Sequence, residues 1–188
     1  MTTKIAVFAS GSGSNFQAIQ EAILNGKLNA VIELVVTDKP NAFVIKRAEN
    51  FNIPVFTFTP KSYESKAAYE QEIVNVLLEK EVEWIVLAGY MRLIGGTLLS
   101  AFANRIVNIH PSLLPSFPGK DAIGQAMDHG VKITGVTVHF VDEGMDTGTI
   151  LAQAAVEVVD GNRAATEERI HMIEHELYTK TLSRLFEK

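Results

Sequence analysis

The sequence predicts an α/β domain built on a mainly parallel central sheet, with helices on both faces and an antiparallel C-terminal part. Two patterns carry the prediction. Short uninterrupted apolar runs at residues 5–9, 31–37, 53–58 and 84–88 alternate with amphipathic stretches, which is how a right-handed parallel sheet covered on both sides reads in sequence. The later runs 133–141 and 150–159 are separated only by a glycine-bearing loop, too short for a crossover, so these two strands pair antiparallel. With 188 residues, 47% of them hydrophobic, the chain is large enough for one continuous core, and no second full domain is expected.

Each element follows from its own residues. After the first strand comes Ser10-Gly11-Ser12-Gly13-Ser14-Asn15, and then Phe16, Ile19 and Ile23 recur at helical spacing until Asn25-Gly26 ends the pattern. The turn Asp38-Lys39-Pro40-Asn41 opens a helix over about 42–51. Another helix buries Tyr69, Ile73, Val76 and Leu77, with Glu70, Glu72, Glu79 and Lys80 expected on its solvated face. A short helix at 97–102 precedes the run 105–110, and a further helix covers about 122–129. The closing helix spans about 165–186, with Ile170, Ile173, Leu177, Leu182 and Leu185 apolar.

Composition excludes several functions. The net charge is −5 and no dense Lys/Arg cluster exists, so a nucleic-acid partner is not expected. There is no cysteine, which removes disulfides and thiolate metal sites. The histidines share no ligand spacing with a carboxylate pair, and His171 and His175, four apart, lack the glutamate of a His-Glu-x-x-His motif, so no metal is expected. No apolar run is long enough to span a bilayer or to serve as a secretory core, which leads to the expectation of a cytoplasmic protein without a membrane partner. A homodimer is left open.

Two stretches carry chemistry. The glycine-serine loop sits between a strand and a helix, where unpaired backbone N–H groups and the helix dipole favour an anion, with Ser14 and Asn15 adding donors. It lacks the third glycine of a dinucleotide fingerprint and the Gly-Lys-Ser/Thr of a P-loop, so the natural guest is a simple phosphate. The other stretch is the strand ending at Pro111. Asn108 and His110, two apart, face one side of the sheet while Val107 and Ile109 face the other. They stand at the carboxyl end of a strand, where open α/β sheets bind ligands. An amide donor and an imidazole there need a carboxylate, and Asp146 fits, because Gly144 and Gly148 flanking it allow a tight inward turn. Asparagine, histidine and aspartate suit addition to a carbonyl followed by breakdown of the tetrahedral intermediate. No Gly-x-Ser-x-Gly elbow is present, so direct transfer is preferred over a covalent intermediate.

Residues 12–15, 87–92, 108–115, 135–141, 142–148 and 174–178 together resemble the phosphoribosylglycinamide formyltransferase family, and the similarity covers nearly the whole chain. The resemblance implies a Rossmann-like formyltransferase fold over 1–188, with a phosphate-binding half at 1–104 and a catalytic, folate-binding half at 105–188. It implies transfer of a formyl group from 10-formyltetrahydrofolate, as co-substrate, to the amine of glycinamide ribonucleotide in purine synthesis. By matching position, Gly13, Ser14 and Asn15 hold the phosphate, His171 and Glu174 meet the ribose and glycinamide, and Asn108, His110 and Asp146 are the catalytic trio. Lys66, Met91, Arg92, Leu93, Ile94, Val141, Asp142, Glu143, Gly144 and Met145, with Asn108, are the folate contacts. The Asn-x-His-Pro-Ser-Leu-Leu-Pro signature is also close to that of methionyl-tRNA formyltransferase and formyltetrahydrofolate hydrolase. Those enzymes would be expected to add a basic C-terminal or a regulatory N-terminal domain, and the phosphate seat favours the ribonucleotide enzyme. Lys66 stands where some members have arginine, Thr147 where some have glycine and Thr149 where some have proline. A formyltransferase for another small phosphorylated amine, or a binding protein for folate or sugar phosphate, are the alternatives.

Overall fold

A computed structural model describes residues 1–187. The chain runs β1 (Thr3–Phe8), α1 (Ser14–Leu24), β2 (Ala30–Thr37), α2 (Phe43–Asn50), β3 (Val55–Thr57), α3 (Lys66–Glu79), β4 (Trp84–Leu87), α4 (Gly96–Ala101), β5 (Ile106–His110), α5 (Ala122–Asp128), β6 (Ile133–Phe140), β7 (Ile150–Glu157) and α6 (Arg163–Phe186). One seven-stranded sheet has the order β3-β2-β1-β4-β5-β6-β7. The strands from β3 to β5 are parallel, and β6 and β7 are antiparallel additions. The predicted α/β class and the antiparallel C-terminal pairing are both present. β5 is the hinge of this arrangement, parallel to β4 on one edge and antiparallel to β6 on the other.

The sheet carries an apolar layer on each face. On one, Ile5, Val7, Val86, Val107, Val136 and Val138 pack under α1, α2, α5 and α6 through Phe16, Val44, Ile123, Ile170 and Leu182. On the other, Ala6, Phe8, Leu34, Ile85, Leu87 and Ile106 meet α3 and α4 through Tyr69, Ile73, Leu77 and Leu98. Burial of β1 and β4 on both faces explains why their residues form continuous apolar runs rather than alternating ones. Alternation survives in β5. Val107 and Ile109 join the α6-side layer while Ile106 joins the other, which leaves Asn108 and His110 on the α3–α4 face at the carboxyl edge.

Three expectations are corrected. The third strand is only Val55–Thr57, an edge strand, because Pro54 has no N–H to give a ladder and the chain turns away after Phe58. Glu70 is not on a solvated face. It is 2% exposed, and its carboxylate accepts from Gly95 N at 2.6 Å and Leu98 N at 3.3 Å, satisfying the first turn of α4, while Glu72 and Glu79 are exposed as expected. The closing helix begins earlier than its apolar repeat, at Arg163, where the Asn162 side chain accepts from Ala165 N at 3.0 Å and caps it.

Candidate active site

The glycine-serine loop leaves the carboxyl end of β1 and delivers its glycine to the N-cap of α1. Gly13 has φ 75 and no side-chain cap, so the first N–H groups of α1 point outward unpaired by any cap. A Cβ at Gly13 would lie 2.6 Å from Val44 Cγ2, so both the left-handed backbone and the close approach of α2 require glycine. Asn15 is buried. Its Nδ2 donates to Glu174 Oε2 at 3.4 Å, and its Oδ1 has no partner among the described residues. Glu174 comes from α6 and is 6% exposed. Burial pushes its carboxyl up to about 7, against the smaller opposing pull of the Asn15 amide.

At the other end, β5 presents Asn108 and His110, and the register pairs Asn108 with His139 on β6. Asn108 Nδ2 lies 3.3 Å from His139 Nε2, while His139 Nδ1 lies 2.7 Å from the Phe140 carbonyl. A carbonyl only accepts, so Nδ1 carries the proton, and in the neutral ring Nε2 accepts from the Asn108 amide and fixes its orientation. His110 Nδ1 is 3.4 Å from Asp146 Oδ2, and its Nε2 is 2.9 Å from the Phe117 carbonyl. Both ring nitrogens of His110 therefore face acceptors, and a doubly protonated ring would have both N–H groups satisfied.

Asp146 reaches this cluster because it adopts φ 56 in the loop between β6 and β7. The inward turn that the flanking glycines predicted is there. A Cβ at Gly148 would lie 1.7 Å from the Phe140 carbonyl oxygen, and one at Gly144 would lie 2.0 Å from Thr147 Oγ1. Asp142 closes the same turn by accepting from Gly144 N at 3.0 Å and Thr147 Oγ1 at 2.6 Å. Asp146 Oδ2 accepts from Gly119 N at 2.8 Å, and Oδ1 stands 3.7 Å from His139 Nε2. Burial pushes the Asp146 carboxyl up, but the Gly119 N–H and the two imidazoles, His139 when its Nε2 carries a proton toward Oδ1 instead of accepting from Asn108, together outweigh it and hold it below the ordinary carboxylate value. The Pro-Ser-Leu-Leu-Pro turn that carries Phe117 and Gly119 inward is held by Thr137, whose Oγ1 donates to Ser112 O at 2.7 Å and accepts from Leu114 N at 3.1 Å.

One cavity of about 420 Å³ joins both ends, within the usual size of a small-molecule site. Gly13, Ser14, Asn15, His171 and Glu174 line one end, and Asn108, His139 and Asp146 the other. Met91 to Ile94, Val141, Asp142, Gly144 and Met145 line it between and beside them. His110 stands behind this wall at 5% exposure, against Asp146 rather than lining the cavity itself. Two expected contacts lie outside. Glu143 sits at the exposed apex of the turn that Asp142 closes. Lys66, at the start of α3, lines a separate shallow cleft with Asp38, Lys39, Tyr69, Met91, Arg92 and Leu93. Arg92 links cleft and cavity, but its Nε is committed to Asp38 at 2.8 Å.

Sequence reasoning missed His139 as a site residue, and it missed Ser10 and Asp38. Ser10 Oγ donates to Asp38 Oδ1 at 2.6 Å and accepts from Met91 N at 2.9 Å, which fastens the segment after β4 to the ends of β1 and β2. The available signal was position, since Asp38 directly follows β2 and Ser10 follows β1 at the sheet's carboxyl edge. Among the described residues no group of three or more His, Asp or Glu side chains is arranged to hold a metal ion, and no helix is long and apolar enough to cross a membrane.

An open α/β sheet whose cavity has an uncapped helix N-terminus at one end and an amide, an imidazole and a carboxylate at the other has the layout of a ligand site at the strands' carboxyl ends. Residues 3–182 match the formyl transferase family, and the chain belongs to that family. Within it, the chain is 57% identical over 97% of its length to phosphoribosylglycinamide formyltransferase of Bacillus subtilis (strain 168), covering 94% of that protein. It is 38% identical, over 95% of its length, to 18% of the trifunctional purine biosynthetic protein adenosine-3 of Homo sapiens. Among solved structures, glycinamide ribonucleotide transformylase 1 from Geobacillus kaustophilus superposes with a TM-score of 0.95 at 60% identity, covering 98% of this chain and 99% of that one. Phosphoribosylglycinamide formyltransferase from Bacillus halodurans gives a TM-score of 0.96 at 51% identity, covering 99% and 96%.

Proposed function

We propose that the protein moves the formyl group of 10-formyltetrahydrofolate to the amine of 5-phosphoribosylglycinamide, giving the formylated ribonucleotide and tetrahydrofolate, as a cytoplasmic step of purine synthesis. The observation that carries the reading is the single cavity running from the uncapped N-terminus of α1 to Asn108, His139 and Asp146. The acceptor's phosphate takes the N–H groups at Gly13, Ser14 and Asn15, where the helix dipole favours it. Glu174 and His171 then meet the ribose and glycinamide, and this leaves the amine facing Asn108. The donor's ring system lies against Met91 to Ile94 and the turn 141–145, with Arg92 and Lys66 toward its charged tail.

In this arrangement the free amine attacks the formyl carbon, and the C=O electron pair moves onto oxygen. The Asn108 amide, held by His139, donates to that oxyanion, and a protonated His110 adds positive charge behind it. Collapse of the intermediate breaks the bond to the folate nitrogen. The proton lost by the attacking amine is the one that nitrogen gains, and Asp146 is the group placed to pass it through water. Two alternatives differ in outcome: another phosphorylated amine as acceptor, or binding without turnover. Purified protein mixed with donor and acceptor is expected to release deformylated folate in step with acceptor. Under single-turnover conditions Asn108→Ala, His110→Ala and Asp146→Ala should each slow the transfer, and near-normal rates in all three would overturn the assignment.

A further inference from the structure

We infer that Tyr178 is a positioning residue for the transfer, clasping the helix that holds the acceptor to the strand tip that carries the oxyanion donor. The inference rests on the transfer reading above. Tyr178 is completely buried, and its hydroxyl donates toward two carbonyls at once, Leu87 O at 2.8 Å and Val107 O at 3.2 Å. These carbonyls face one another across β4 and β5 at the last rung of their ladder, where Leu87 pairs with Asn108. Beyond that rung β4 ends, β5 runs on to His110 beside β6, and residues 87–94 and 108–109 line the cavity. The hydroxyl thus sits on the peptide bond that leads from Val107 into Asn108.

The same side chain is fixed to the acceptor end. On α6, Glu174 lies one turn before Tyr178 and His171 nearly one turn before Glu174, so all three project from one side of the helix. Glu174 and His171 line the cavity, while Tyr178 reaches the sheet beneath it. The α6 backbone around it is continuous. It runs as one helix from Arg163 to Phe186, past the clasp without a break. Burial, with the nearby Glu174 carboxylate, holds the phenol well above its ordinary value, so the group remains a donor at any working pH. Acceptor and oxyanion donor approach the formyl carbon from different elements, and the Tyr178 hydroxyl is the polar contact that ties those elements together directly beneath the reacting groups. Small misplacements at such a centre cost rate far more than they cost binding.

The test is Tyr178→Phe in the full chain, with 10-formyltetrahydrofolate and glycinamide ribonucleotide. The expected result is a fall in kcat of about tenfold, with KM for the donor within about twofold of the parent protein. In an Asn108→Ala background the same substitution should cost no further rate, because the clasp acts through Asn108. A parent-like kcat with only a lowered unfolding temperature would overturn the inference and leave a purely structural tyrosine, as would an undiminished further loss in the Asn108→Ala background. Should Tyr178→Phe not fold, amide exchange in the parent protein decides. Saturating ribose 5-phosphate should slow exchange at Asn108 and Ile109 as well as at the α1 N-terminus, and protection confined to α1 would overturn it. Absence of any transfer by the parent protein would instead refute the reading on which the inference rests.

Discussion

At the α1 end of the cavity polar groups lack partners, whereas at the β5 end they have found one another. The α1 N-terminus has no side-chain cap, and Asn15 Oδ1 is buried without a partner among the described residues. Asn108, His139, His110, Asp146, Phe117 and Gly119, by contrast, form a chain of contacts between 2.8 and 3.7 Å. A bound anion would supply the acceptor that the uncapped α1 N–H groups lack, while Asn15 Oδ1 is left for a donor, so in the proposed function the first end provides affinity. A cluster already oriented pays no reorganisation when charge develops on a substrate, so in the proposed function the second end provides rate.

Substitutions should separate the two ends. The largest effect is expected at the satisfied end. Asn108→Ala removes one aimed donor, worth about 2.7 to 4 kcal/mol in the transition state, so kcat should fall a hundredfold or more in a steady-state assay while acceptor KM changes little. Next is a pH effect at the open end. The Glu174 carboxyl, pushed from 4.5 to about 7, holds a proton in the folded protein through a window where the unfolded chain has already lost it. Stability should therefore fall as pH rises from about 4.5 to about 7, by an amount of order 3 kcal/mol from this group, and denaturant titrations of Glu174→Gln should show a flatter profile across that window. Gly13→Ala sets a side chain against Val44 at positive φ and should cost about 1 to 3 kcal/mol in denaturant titrations while raising acceptor KM. His139→Ala leaves Asn108 present but unoriented, and should lower kcat about tenfold, less than loss of Asn108 itself. The smallest effect belongs to a site remote from both ends. The exposed Lys132–Asp160 pair, at 2.7 Å, should contribute no more than about 0.5 kcal/mol, so Lys132→Ala should leave both stability and turnover near parental values.

The same contrast explains what was legible in the sequence. Asn108, His110 and Asp146 could be brought together from local rules, because alternation along one strand and glycines around one turn fix where they point. The loop at Gly13 was legible for the same reason. His139 was not, since its partner Asn108 lies 31 positions away and only the antiparallel register of β5 and β6 makes them neighbours. Glu70 misled because helical periodicity finds an apolar stripe but does not see a second helix whose N–H groups need an acceptor. Position in the family motif placed Glu143 and Lys66 near the donor. The fold sets one at a turn apex and the other in a neighbouring cleft, a distinction that depends on how Asp142 closes its turn and where α3 starts.

The most direct test of a cavity with an anion seat at one end and carbonyl chemistry at the other is to compare glycinamide ribonucleotide with its dephosphorylated counterpart as acceptors for 10-formyltetrahydrofolate. The account predicts formyl transfer to the ribonucleotide, and a kcat/KM about a hundredfold lower or worse for the counterpart. Equal transfer to both acceptors, or none to the ribonucleotide, would contradict it.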